Sequence, residues 1–393
     1  MGGEGMEGNS ARHNWYSSMD GNEKRTVWGS FVAWGFDAID FFVMLFVMIY
    51  IARSFSVTVA DIAATIIITL AMRFVGSFIF GPIGDRYGRK IAMELSLLLL
   101  GLFTFMAAFS FNYASFFAFR ALYGLGMGGL WGAASSLAIE NAPVKSRGPI
   151  SGIVQNGYAL GYLFAAVIFY FVFPAFNHAL GWRIMFVIAS ILPILWIAYI
   201  HFGIKESNVY KNYQKKGKAR LNQTGNAIRK NFWLFIFLIV LMTGENFTSH
   251  GTQDLYPTFL ESGLGITTSV VAIIAIIYNI GAIIGGLSSG LISEKFGRLG
   301  RKWTAVIFLA AGLIVIPFWA YPQHLTIVSI AVSAAIAAFI MQFFVQGAWG
   351  MVPAYLDEST PAEARATMTG GAYMTGVMIA STSAYIEIAL EML

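Results

Sequence analysis

Runs of 18 or more mostly apolar residues recur along the whole 393-residue chain, separated by short charged loops. A run of that length crosses the hydrocarbon of a bilayer as an α-helix, the fold that satisfies every main-chain polar group within the segment. The stretches are too long for barrel strands and lack their alternation. Only 11% of residues are charged against 57% apolar, too few charges to cover a soluble domain of this length. The expected fold class is therefore an all-α membrane protein with the lipid bilayer as its surroundings.

The pattern predicts helices near 28–54, 61–84, 91–110, 114–140, 149–173 and 182–204, then 232–260, 267–293, 303–320, 325–356 and 365–391. Between the two groups lies the one long polar stretch. It carries Lys205, Lys211, Lys215, Lys216, Lys218, Arg220, Arg229 and Lys230 against a single acid, Glu206. Basic loops stay on the cytoplasmic side. When the helices alternate, Asp85 to Lys90, Lys145 to Arg147 and Lys295 to Arg298 fall on that same side. The opposite loops, 111–113, 174–181 and 321–324, are nearly free of Lys and Arg. The expected layout is a cytoplasmic tail (1–27), a six-helix bundle (28–204), a basic cytoplasmic linker (205–231) and a second bundle (232–393), in the plasma membrane. Eleven spans are visible and a twelfth is expected in the full chain. The first 25 residues have charges but no apolar core, so no cleavable leader is expected.

The absence of cysteine excludes disulfides and thiolate metal sites, and no metal or cofactor is expected. The net charge of +5 reflects topology, because no basic groove with interleaved aromatics suggests nucleic acid. No nucleophile, metal set or nucleotide loop suggests an enzyme.

The two groups repeat. Trp131, Gly132, Glu140, Pro143, Arg147 and Gly152 match Trp349, Gly350, Glu358, Pro361, Arg365 and Gly370, all at an offset of 218. A second block, Gly81-x-x-x-Asp85-Arg86-x-Gly88-Arg89, matches Gly290-x-x-x-Glu294-Lys295-x-Gly297-Arg298 at an offset of 209. Repeats in one orientation suit two bundles about a two-fold axis, with a cavity between them. Asp85 can accept hydrogen bonds at a helix N-terminus, and Arg86 and Arg89 supply cations beside it. Together with Arg120, Glu140, Arg147, Glu358 and Arg365 they are candidate gating residues. The alternative for the Arg and Lys content is topological anchoring.

Ionisable groups inside spans are costly and face a watery cavity or a partner. Asn246, His250 and Asp254 stand at i, i+4 and i+8, with Gln253 at i+7, so all four share one helix face. The stripe suggests a path for solute and ion; a bundle-holding hydrogen-bond seam is the alternative. Arg73 sits mid-span among Ala71, Met72, Phe74 and Val75. An arginine there costs roughly 2.5–3.5 kcal/mol on insertion scales. Its planar fork suits a carboxylate, and a structural ion pair with Asp37 or Asp40 is the other reading. His250, Asp254, Asp37 and Asp40 are the candidate proton carriers, with Glu245 behind them. Tyr158 and Asn279 join Arg73, Asn246 and Gln253 as candidate substrate contacts. Asp357 belongs with Glu358 and Arg365.

Gly81-Pro82-Ile83-Gly84-Asp85-Arg86-Tyr87-Gly88-Arg89-Lys90 and Arg120-x-x-x-Gly124-x-Gly126 resemble signatures of the major facilitator superfamily. The segment from Asn246 to Thr258 resembles the seventh-helix signature of fungal Jen-type lactate permeases, in the sialate and monocarboxylate proton symporter group. Arg73, twelve residues before Asp85, also fits that group. Where those permeases carry Gln and Asn in helix eleven, Tyr373-Met374-Thr375-Gly376-Val377 has Met and Val. The resemblance implies a monomeric, proton-coupled importer of a small monocarboxylate such as lactate or pyruvate. A transporter of another organic acid (sialate, sugar acid or aromatic acid) and a non-transporting sensor of the same fold are the alternatives.

Overall fold

The computed structural model describes residues 15–217, 221–296, 300–324, 329–383 and 386. Lys218, Arg220, Gly297, Arg298 and most of the last expected helix beyond residue 383 lie outside the described residues. Six long helices come first: α1 (Gly21–Phe55), α2 (Val59–Tyr87), α3 (Arg89–Ala108), α4 (Tyr113–Asn141), α5 (Arg147–Val172) and α6 (His178–Gly203). Side-chain caps start several of them. Asp20 with Glu23 closes a capping box on α1, as Thr58 with Asp61 does on α2.

The basic linker folds into two short amphipathic helices, α7 (Asn208–Lys215) and α8 (Leu221–Lys230). Both helices dock on the bundles. Tyr210 donates to the main-chain oxygen of Arg86, and Thr224 donates to that of Glu363.

The second half contains α9 (Phe232–Gln253), the short α10 (Tyr256–Thr258), α11 (Thr268–Lys295), α12 (Gly300–Ala320), α13 (Ile330–Trp349), α14 (Val352–Ser359) and α15 (Arg365–Ala380). Two spans expected to be continuous are broken. Proline has no N–H and its ring crowds the carbonyl four residues back. Pro257 ends α9 at Gln253, and Pro353 ends α13 at Trp349.

Among the described residues, nine helices are long and apolar enough to cross a membrane, by length and composition. The expected spans α4 and α15 fall outside that set. Glycines and serines lower the hydropathy of α4, and α15 is described for only 16 residues.

Within the first half α4 packs on α2 and α3, and α1 packs on α5 and α6. Within the second, α13 packs on α11 and α12, and α9 on α15. The halves meet where α2 packs on α15 and α5 on α11. By the repeat offsets α2 corresponds to α11 and α5 to α15. The two contacts are therefore exchanged copies of one another, as a two-fold axis requires.

Candidate functional site

A cavity of about 490 Å³ lies between the halves. Its walls come from α1 (Phe41, Phe42), α2 (Leu70, Arg73), α5 (Asn156, Tyr158, Tyr162), α9 (Asn246, Ser249, His250, Gln253), Asp254, α11 (Tyr278, Asn279), α13 (Gln346, Trp349) and α15 (Tyr373, Val377). The polar stripe read on one face of α9 thus lines the cavity in full.

Arg73 is on the wall and 4% exposed. Its Nη2 reaches Asp37 at 3.3 Å, and Asp37 is fully buried behind it. Aromatic faces hold the guanidinium from the sides: Trp34 at 5.4 Å and Tyr373 at 6.0 Å from ring centre to Cζ. Tyr373 stacks on Trp131 at 4.3 Å and meets Trp349 edge-on at 5.5 Å. The repeat-related tryptophans therefore close on one tyrosine at the cavity floor.

Asp40 is separate from this group. It accepts from Arg120 at 2.6 Å and from Thr104 at 2.8 Å, sealed inside the first bundle. Arg120 was expected among the gating residues. It stands two turns into α4, about 20 residues and roughly 30 Å of helix from Glu140, so it is a buried cation of the first bundle and lies apart from the Glu140 cluster. His250 Nδ1 and Asp254 Oδ2 are 3.0 Å apart, with side chains 35% and 43% exposed. Glu245 is buried off the cavity, and its Oε2 has no hydrogen-bond partner among the described residues.

On the linker side the halves are tied shut. Asp85 accepts the N–H groups of Ala366 and Thr367, at 3.0 and 3.1 Å, and the Thr367 hydroxyl at 2.6 Å. An anion there meets the free N–H groups and positive dipole end of α15. Glu294, its repeat partner, does the same for α5 through Gly148 N–H at 2.6 Å. Arg89 reaches Glu140 at 3.2 Å and Arg365 reaches it at 2.9 Å. Glu140 also accepts from the Ser207 hydroxyl of the linker. Arg147 approaches Glu358 at 3.6 Å. Ser136 donates to Asp357 at 2.8 Å. Arg86 was expected in this set, but its side chain is exposed and lies over Tyr87 at 4.8 Å. Among the described residues only its main-chain oxygen is held, by Tyr210.

Several residues of the site carry no sequence signal of their own. Arg301 binds Glu358 through Nε and Nη2, at 2.8 and 2.9 Å, and Glu294 at 2.9 Å. It does for the second half what Arg89 does for the first, but an insertion displaces it from the matched spacing. Trp34 and Tyr373 read as packing aromatics. Gln342 and Gln346 sit in an apolar helix, and only their polarity there marks them.

Helices in two exchanged halves, with a polar cavity between them and a charged closure on one side, make a membrane carrier. The Major Facilitator Superfamily model matches residues 30–384, and the chain belongs to that superfamily. It is 30% identical over 377 residues to the carboxylic acid transporter protein homolog of Saccharomyces cerevisiae, covering 91% of this chain and 59% of that protein's length. It is 26% identical over 365 residues to the sialic acid transporter NanX of Escherichia coli, covering 92% and 86%. A probable 4-methylmuconolactone transporter of Cupriavidus pinatubonensis is 24% identical over 369 residues, covering 94% and 84%. Among solved structures, the proton:xylose symporter XylE superposes with a TM-score of 0.68 at 16% identity, covering 94% and 90%. The human organic anion transporter MFSD10 gives 0.67 at 12% identity, covering 93% and 94%. The family and these relatives are transporters, not enzymes.

Proposed function

We propose that the chain imports a small organic monocarboxylate, such as lactate or pyruvate, together with a proton. One observation carries this reading: a buried arginine on the cavity wall whose one acidic partner among the described residues, Asp37, sits behind it. A substrate leaving water needs a cation to replace its hydration, and a guanidinium holds both carboxylate oxygens. Asp37 competes for that cation while ionised and stops competing once protonated. Proton and substrate then favour each other's binding, as symport requires. His250 and Asp254, nearer the open end, stand where a proton would pass, and Gln253, Asn246, Asn279 and Tyr158 orient the anion. Relatives named for carboxylic acid, sialic acid and niacin transport support an organic acid.

The linker side is taken as cytoplasmic from its Lys and Arg excess, which puts the N-terminus inside, and the plasma membrane is the location proposed with it. The described state then faces outward. Asp85, Arg89, Glu140, Arg147, Glu358 and Arg365 act as the inner gate, and the two bundles rock about the cavity as a monomer. Counterflow in proteoliposomes with a panel of labelled carboxylates, with and without a pH gradient, tests the proposal. Exchange of carboxylates with uphill accumulation under an inward proton gradient is expected. Failure of every carboxylate to exchange would overturn it.

A further inference from the structure

Four amides on the cavity wall are fixed in orientation. Asn156 Nδ2 donates to the main-chain oxygen of Ile283 at 3.2 Å, Asn246 Nδ2 to that of Met242 at 2.7 Å, and Asn279 Nδ2 to that of Ala275 at 2.8 Å. A main-chain carbonyl only accepts, so each amide must present its NH₂ there and turn its oxygen elsewhere. The same logic passes through a relay. Gln342 Nε2 donates to the main-chain oxygen of Thr252 at 3.2 Å, which fixes its Oε1 as the acceptor of Gln253 Nε2 at 2.7 Å. Gln253 is thereby left with its own oxygen free. All four residues, Asn156, Asn246, Gln253 and Asn279, line the cavity. Among the described residues none of their side-chain oxygens receives a protein donor, and none is sealed from solvent.

Resting on the carboxylate reading above, we infer that the substrate carries hydroxyl groups along its length: a hydroxylated carboxylate, bound in preference to a plain alkanoate. Its carboxylate meets Arg73 on the first half. Its hydroxyls donate to oxygens of which three, those of Asn246, Gln253 and Asn279, belong to the second. A plain alkanoate has nothing to give these acceptors, and binding it leaves them desolvated and unpaired. A cavity of about 490 Å³ lies within the range of sites for ligands much larger than three carbons. An ammonium group fits the wall less well. Asp254, the one carboxylate on it among the described residues, is already bonded to His250.

Trp349 lines the cavity, so tryptophan fluorescence of the reconstituted chain gives a binding curve for each compound. The pairs are lactate against propionate and gluconate against hexanoate, with 6-aminohexanoate as the ammonium arm. Gluconate is expected to bind roughly tenfold or more tighter than hexanoate, and lactate several-fold tighter than propionate. Asn279→Leu and, separately, Asn156→Leu remove one acceptor each and should narrow the gluconate-to-hexanoate ratio. Equal binding within the pairs, or preference for 6-aminohexanoate, would overturn the inference and leave the carboxylate reading standing. If none of the five compounds changes the signal, both fall.

Discussion

Glu140 and Arg365 meet at 2.9 Å across the two halves, and their repeat counterparts Glu358 and Arg147 meet at 3.6 Å with the halves exchanged. The two arms are not equal. Glu140 is sealed from solvent, while the Arg147–Glu358 pair keeps about a quarter of its side-chain surface exposed. Exposed pairs contribute about 0–1 kcal/mol, whereas removing one partner of a buried pair costs about 3–5 kcal/mol. Breaking the first arm should therefore loosen the closed side much more. The chain has no native cysteine, so a single Ala366→Cys reporter, buried against α2, can be labelled cleanly. Arg365→Gln should raise its labelling rate at least several-fold, and Arg147→Gln by a small factor. Equal effects would count against the gate as described.

At the cavity, Arg73→Lys keeps the charge and loses the planar fork. Carboxylate affinity is expected to fall tenfold or more while the folded yield holds. Arg73→Ala should abolish uptake and strand Asp37 without its cation. Unchanged apparent affinity in either variant would remove Arg73 from substrate binding.

Much of this site was legible because its physics is periodic. Spans follow from apolar run length, and the stripe on α9 follows from 3.6-residue spacing. The exchanged ion pairs between the halves follow from one constant offset. What sequence hid were partners. Depth in the membrane is readable for Arg120, but that it meets Asp40 inside the bundle depends on how α1 and α4 cross. Arg301 was hidden by an insertion that shifts it off the repeat. Tyr373 and Trp34 look like any packing aromatics until the fold sets them around Arg73. The breaks at Pro257 and Pro353 were readable in principle, yet membrane helices also keep internal prolines, as α2, α6 and α12 do at Pro82, Pro193 and Pro317.

Close helix approach gives a paired test. A Cβ on Gly128 of α4 would collide with the main chain of α2 at Arg73 and Ser77, whereas one on Gly244 meets nothing within 4 Å. Main chain cannot yield as a side chain can, so Gly128→Ala should cost about 1–3 kcal/mol or more. Gly244→Ala should be neutral or gain up to about 1 kcal/mol from helix propensity. Thermal melts of the two variants in detergent decide it, and equal melting temperatures would contradict the packing.

The linker carries a pH signature. Glu206 accepts the N–H groups of Lys90 and Ser207, at 3.0 and 2.8 Å. Burial pushes its carboxyl above the usual glutamate value, against the pull of those donors and of Arg89. The folded state then holds the proton more tightly than the unfolded one. Its contribution is complete below the ordinary glutamate value and is lost as pH rises through the raised one. Glu206→Gln stays neutral throughout. The melting temperature of the parent should therefore fall relative to the variant as pH rises through that window, and parallel curves would refute it.

Coupling is the sharpest test, because two carboxylates compete for the role. The sequence offers His250, Asp254, Asp37 and Asp40 alike as proton carriers. In the structure Asp254 is bonded to His250 at 3.0 Å, and Asp37 is the acid at Arg73. Asp37→Asn keeps the shape of the protonated carboxyl and no longer holds the guanidinium. Substrate binding and counterflow should survive in that variant, while uphill uptake driven by a pH gradient is lost. Removing a relay group should act differently. His250→Ala and Asp254→Asn are expected to shift the pH dependence of uptake and slow it, yet leave accumulation against a gradient intact. Accumulation that persists in Asp37→Asn and disappears in Asp254→Asn would return the coupling step to α9.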